Sequence, residues 1–176
     1  TGVQTCALPI WPLEKIGAGT LILSAANTYS GTTTITSGIL QLGGSGTVGS
    51  GNVVLGGGGA SLIVGRAGTV TLSNNISGNG LVQQDGSGAG DILVLSGNNS
   101  YSGTTNVLSN RVIHAANNNA LGTSSVTMQN GSTLQSGLAG LNLANNINLA
   151  PAGASLGTID SQNGQMTLSG VISGVG

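Results

Sequence analysis

Residues 17–42 read GAGTLILSAANTYSGTTTITSGILQL, and residues 88–114 read GAGDILVLSGNNSYSGTTNVLSNRVIH. One block has been used twice. Ser24 matches Ser96, Asn27 matches Asn99, and Tyr29 to Thr33 (YSGTT) matches Tyr101 to Thr105 without a change. Inside the block, Thr20 to Ser24 alternates about Leu21 and Leu23, and Thr33 to Ser37 alternates about Ile35, the period of a half-buried strand. Asn27 to Gly31 lies between them and reads as a turn, since Asn and Gly tolerate left-handed backbone. Gly38 interrupts the pattern, and Ile39 to Leu42 follows with Leu40 and Leu42 inward.

The rest of the chain keeps this texture. Short apolar strands are expected at Asn52–Leu55, Ser61–Val64, Thr69–Leu72 and Leu81–Gln84, with Gly/Ser/Asn turns between them. The second unit repeats the plan. Ile92–Ser96 and Thr105–Ser109 copy the first two strands, Arg111–His114 takes the place of Ile39–Leu42, and Val126–Met128 that of Val53–Leu55. Further strands are expected near Ser132–Gln135, Leu141–Leu143, Ile147–Leu149, Leu156–Asp160 and Gln165–Ser169. Residues 164–176 (GQMTLSGVISGVG) echo residues 68–80 (GTVTLSNNISGNG).

Composition narrows the class. Of 176 residues 33 are Gly, aromatics are 2%, Phe is absent and charged residues are 4%. Soluble domains usually carry about 25% charge. No run approaches the roughly 18 apolar residues of a membrane helix, and the β-branched residues are too plentiful for disorder. Three basic residues, Lys15, Arg66 and Arg111, and a net charge of −1 exclude a phosphate-binding surface and hence nucleic acid. The lone Cys6 forms no internal disulfide. Residues 1–10 (TGVQTCALPI) are foreign to the texture and resemble the translated read-through of a sequencing adapter, so residues 1–12 are set aside as a non-native or linker leader.

The equivalent tyrosines are 72 residues apart, too far for one coil of a solenoid. Three strands per coil and roughly 20–25 residues per coil make each unit, 13–84 and 85–176, about three coils. The fold expected is all-β: a single-stranded parallel β-helix, or β-solenoid, of about seven coils. A sandwich would need antiparallel hairpins and larger inner-face residues. Leu, Ile and Val would stack inside, Thr and Ser would form outer ladders, and Asn27, Asn74, Asn75, Asn99, Asn145 and Asn146 would bond the neighbouring coil at turns.

Chemical motifs fail on context. Gly153 to Gly157 has the spacing of a nucleophile elbow around Ser155, but that elbow needs a strand before and a helix after it. His114, the only histidine, falls at an inward slot by alignment with Leu42. Gly44 to Gly49 spells GxGxxG with no helix to follow. Asp85 and Asp91 flank a flexible loop but lack the further acids of a calcium loop. The acids outside the leader, Glu14, Asp85, Asp91 and Asp160, are scattered, whereas a β-helix glycosidase or lyase needs convergent carboxylates. No catalytic, cofactor-binding or metal-binding residue is therefore assigned. A flat binding face from Thr32–Thr36, Thr69 and Thr71, with Tyr29 and Tyr101 stacking on sugars, is the alternative.

The block resembles the autotransporter-associated β-strand repeat, also called the passenger-associated transport repeat. Gly17, Gly19, Thr20, Leu21, Leu23, Ser24, Asn27, Thr28, Tyr29, Gly31, Thr33, Gly38, Leu40 and Leu42 carry the resemblance. The second copy keeps Leu93, Leu95, Ser96, Gly97, Asn99, Tyr101, Gly103 and Thr105 and departs at Asp91, Asn110 and His114. The resemblance implies that the single-stranded parallel β-helix is right-handed, and that it is a non-enzymatic passenger of a type V secreted bacterial surface protein, located at the cell surface, at the outer membrane or secreted. Its expected role is a stalk that aids its own export and displays a distal activity. The implied partner is the C-terminal outer-membrane β-barrel of the same polypeptide. An adhesin surface for glycan or another cell-surface ligand is the alternative, and a polysaccharide-degrading enzyme ranks below it. Open coil ends are expected to make the isolated chain self-associate.

Overall fold

A computed structural model describes residues 11–57, 59–86, 88–149 and 156–174. Its strands, in chain order, are β1 (Leu13–Lys15), β2 (Thr20–Leu23), β3 (Thr33–Ile35), β4 (Gly38–Leu42), β5 (Val53–Leu55), β6 (Ala60–Val64), β7 (Thr69–Leu72), β8 (Ile76–Gly78), β9 (Leu81–Gln84), β10 (Ile92–Leu95), β11 (Thr105–Val107), β12 (Val112–Ala115), β13 (Val126–Met128), β14 (Thr133–Ser136), β15 (Leu141–Leu143), β16 (Ile147–Leu149), β17 (Thr158–Asp160), β18 (Met166–Leu168) and β19 (Ile172–Gly174). Strands are three to five residues long, and Gly, Asn or Ser stands within two residues of the end of most of them, where it breaks the extended run. There is no helix among the described residues.

The strands stack into a parallel β-solenoid. Face A carries β1-β3-β5-β8, face B carries β2-β4-β6-β9-β11-β13-β16-β19, and face C carries β7-β10-β12-β14-β17. In the last two coils the third side is a separate ladder of β15 and β18. Every pairing is parallel. Face B marks seven coils. The register gives their lengths as 19, 22, 20, 23, 21, 21 and 25 residues.

The core is two inward rows on face B and their counterparts on the other faces. One row runs Leu21, Leu40, Leu62, Val82, Thr105, Val126, Ile147, and the other runs Leu23, Leu42, Val64, Gln84, Val107, Met128, Leu149. From Leu40 to Ile147 these positions are fully or nearly fully buried. Burying a Leu, Val or Ile contributes roughly 1.5–3 kcal/mol each. Gln84 breaks the second row: its Nε2 donates to the Asp91 carbonyl at 3.1 Å, and its Oε1 has no partner among the described residues.

Each 72-residue unit is longer than three coils. The first copy places β2, β3 and β4 on faces B, A and B; the second places their counterparts β10, β11 and β12 on faces C, B and C. Between β2 and β10 the chain crosses face B again at β4, β6 and β9, so the repeat is three coils plus one face. Val53 and Val126, equivalent in sequence, likewise stand on faces A and B.

One sequence alignment is corrected. His114 does not occupy the inward slot of Leu42. Gly38 and Asn110 both adopt left-handed backbone, with φ of 70° and 60°. After Gly38 the first buried residue is Leu40; after Asn110 it is Ile113, one position later. The extra residue flips the strand's alternation. Ile113 and Ala115 point inward and His114 points out.

The two left-handed turns make a paired prediction. A Cβ at Gly38 would lie 2.5 Å from the Gly17 carbonyl oxygen and 2.6 Å from that of Gly19. Gly38→Ala is expected to lower stability by about 2 kcal/mol or more, while Asn110→Gly raises it by about 0.5–1 kcal/mol. Denaturant midpoints of both variants check this.

Candidate functional site

The polar side chains mostly serve the joints between coils. Asn74 and Asn145 are sequence equivalents. The Asn74 Nδ2 donates to the carbonyls of Gly49 (2.8 Å) and Gly51 (2.6 Å). The Asn145 Nδ2 donates to those of Leu121, Gly122 and Ser124 at 3.3, 3.1 and 2.7 Å. The next asparagine reaches the other way: Asn75 Oδ1 accepts from Asn98 N–H, and Asn146 Oδ1 from Val171 N–H, both at 2.9 Å. Each Asn-Asn pair thus ties one coil to the coils on both sides. Asn99, almost fully buried, does so alone, accepting from Ile76 N–H at 2.8 Å and donating to the Ala120 carbonyl at 2.6 Å. Asn27 donates to the Thr47 carbonyl at 2.8 Å. The expected turn asparagines do bond neighbouring coils, through backbone rather than by stacking in one file.

The cations behave alike. Lys15 Nζ donates to the carbonyls of Ile16, Gly17 and Ser37. Arg66 donates to those of Gly44 and Gly46, and Arg111 to those of Gly86 and Ser109. The Gly44–Gly49 run is therefore a coil joint. A Cβ at Gly46 would collide with the Leu23 carbonyl, and one at Gly49 with the Tyr29 backbone and ring.

Tyr101 does not offer its ring to a ligand. It is fully buried, packed over Gly122, and its hydroxyl shares a 2.6 Å hydrogen bond with the buried Thr105 hydroxyl. Tyr29 repeats the arrangement with Thr33 at 2.7 Å and is half-buried. The threonines also fail to form one array. Thr34 is on face A between Glu14 and Val54, whereas Thr69 and Thr71 are on face C beside Ile92 and Val94. Thr33 is buried. Alternation sends neighbouring threonines to opposite sides of a strand, and the coil sends successive strands to different faces.

Titratable groups come together in one row. On face C, Val94, His114, Gln135 and Asp160 are register neighbours. His114 Nδ1–H donates to Gln135 Oε1 at 2.8 Å, and Gln135 Nε2 donates to Asp160 Oδ2 at 3.0 Å. Asp160 Oδ1 accepts from Gln162 N–H at 3.0 Å. The His114 ring lies against Gly137. This row ties three coils together and holds no nucleophile. Ser155 lies outside the described residues. Asp91, inserted in the second copy, accepts from the N–H groups of Gly68 and Gly88, each at 2.6 Å, and so holds its loop onto the coil before. No cluster of three or more His, Cys, Asp or Glu suited to a metal occurs among the described residues.

One surface was not found in sequence. Asn98, Ala116, Asn117, Asn118, Asn119 and Leu138 line a shallow groove of about 460 Å³. The NNN run at 117–119 was its signal, but only the stacking of coils shows that Asn98 and Leu138 join it.

The Passenger-associated-transport-repeat family model matches residues 13–42 and 87–109. No curated protein and no solved structure matches the chain.

Burial raises the Tyr101 phenol above its ordinary value of 10.0, and the Thr105 hydrogen bond offsets this only in part. The neutral phenol is favoured in the folded chain, so its contribution is fully present below pH 10 and is lost as pH rises from there toward the folded value. Unfolding free energy is expected to fall above about pH 10 with a slope of up to 1.4 kcal/mol per pH unit, and Tyr101→Phe should lack that slope. At neutral pH the same variant should cost about 1–3 kcal/mol by stranding the Thr105 hydroxyl, with a smaller cost for Tyr29→Phe. Denaturation at several pH values measures both.

Proposed function

We propose that this chain, which carries the passenger-associated transport repeat twice, is a structural stalk segment of the exported passenger of a type V secreted bacterial surface protein. An outer-membrane barrel of the same polypeptide would carry it out, to stand at the cell surface or be released. The observation that carries the reading is the mismatch between repeat and coil. Because the repeat advances by one face, equivalent residues of successive copies do not line up along one side. A repeat built for a periodic binding face would keep them in line. What the copies preserve instead are coil joints: Tyr–Thr, Tyr over Gly, and the Asn-Asn pair.

Export follows from the same joints. Each coil finds its hydrogen-bond partners in the coil before, so a chain emerging at one point can fold as it arrives. Folding outside the cell would then hold the emerged part and bias movement outward. No charged catalytic cluster is needed for this, and the segment is read as non-enzymatic.

Two measurements test the proposal. The chain, placed between a secretion signal and an autotransporter barrel, is expected at the cell surface, where protease added to intact cells can reach it. Leu62→Asp with Ile113→Asp, which buries charge in two coils, should lower the surface amount by roughly tenfold. Equal amounts for both chains would contradict export aided by folding. The ends supply the second test. Trp11, Ile16 and Ile22 at one end and Leu156, Ile159, Val171 and Ile172 at the other are the exposed large apolar side chains among the described residues. The isolated chain is expected to self-associate through these open coils, with a sedimentation-average mass that rises with concentration. A mass that stays monomeric at high concentration would sink this idea.

A further inference from the structure

We infer that the asparagine groove at the third side of coils four to six binds neutral oligosaccharide. The groove is lined by four asparagines, with Ala116 and Leu138 supplying apolar surface. Internal bonds fix the amides. Asn117 Oδ1 accepts from Asn119 N–H at 2.8 Å, and Asn118 Oδ1 accepts from Asn142 N–H at 2.9 Å. A backbone N–H can meet only the oxygen of an amide, so both Nδ2 groups are left for an outside acceptor. Asn119 Nδ2 donates to Asn98 Oδ1 at 2.8 Å, which leaves the Asn98 Nδ2 and the Asn119 Oδ1 unclaimed by the protein. The chain thus holds three donors and one acceptor in place on two adjacent coils, with the costs of ordering them already met by folding.

The ligand class follows from what the groove contains. No cationic side chain lines it, so an anion has no counter-charge. No aromatic ring lines it, so a nucleobase has nothing to stack on. Vicinal hydroxyls of a sugar pair with amide donors and acceptors, and the C–H face of the ring packs on Leu138 and Ala116. Coils repeat at about 4.8 Å, close to the length of one hexose unit, so an extended chain of sugars can pass from the Asn98 coil to the Asn118 coil. This site differs from the threonine and tyrosine surfaces that the sequence pointed to, and it stands whether or not the chain is a stalk.

The test uses the full chain, labelled with nitrogen-15, and the neutral hexasaccharides cellohexaose, maltohexaose and fully N-acetylated chitohexaose as separate probes. The side-chain amide signals of Asn98, Asn117 and Asn118 are expected to shift with at least one probe, while that of Asn145, held inside the coil joint, stays fixed. Asn98→Ala with Asn119→Ala removes a side-chain pair without stranding any backbone N–H, so the fold should persist with an unchanged melting curve. That variant should bind the same probe roughly tenfold more weakly, as loss of two or more ligand hydrogen bonds predicts. No shift at the groove amides with any probe would overturn the inference. So would unchanged affinity in the double variant, or tighter binding of an acidic oligosaccharide than of its neutral counterpart.

Discussion

The parallel hydrogen-bond ladder between successive coils is the constraint on which everything else depends. A three- to five-residue strand cannot satisfy its own backbone groups, and parallel pairing needs a crossover, which in most proteins is a helix. Here the other two sides of the coil are the crossover. The strands of face B can therefore be eight deep with no helix among the described residues. Turns are pinned the same way: Ser50 N–H meets the Tyr29 carbonyl and Thr123 N–H the Tyr101 carbonyl, although these residues are not strand.

The low charge of the chain follows from that ladder. Outward positions sit about 4.8 Å above one another, so a repeated ionic residue would face its own copy in every coil. Ser, Thr, Asn and Gln carry no such penalty and can bond along the axis. The cations that remain do not seek acids; Lys15, Arg66 and Arg111 all donate to backbone carbonyls, each of them across a coil joint. Even the most suggestive row, His114–Gln135–Asp160, is used to join coils. The proposed structural role is consistent with this arrangement, in which these cations and the His114–Gln135–Asp160 row hold one coil to the next.

Much of this was legible in the sequence. The alternation about Leu21, Ile35 and Leu40, the Gly and Asn breaks and the 72-residue return all pointed to a parallel solenoid of about seven coils, and the structure has them. Two things were not legible, for physical reasons. The phase of a strand depends on its entry turn, and the extra residue after Asn110 turns His114 outward although its alignment with Leu42 looks sound. Which face a segment occupies depends on the summed lengths of all earlier coils. Lengths between 19 and 25 residues cannot be added reliably from turn signals alone, so the one-face advance of the repeat was hidden. The same sum decides which turns come together, and it hid the groove that joins Asn98, Asn118 and Leu138.

The central claim is that the second copy is turned by one face, and cross-linking reads it directly. Asn106, the counterpart of Thr34, should stand in the outward row of face B above Gln83, not in the face A row that ends Glu14, Thr34, Val54, Ser77. A disulfide requires Cα atoms about 4.4–6.8 Å apart. In a Cys6→Ser background, Gln83→Cys with Asn106→Cys is expected to oxidise to an intramolecular disulfide, and Ser77→Cys with Asn106→Cys is expected to stay reduced. The opposite outcome, a bond from position 77 and none from 83, would put both copies on the same face and contradict the account.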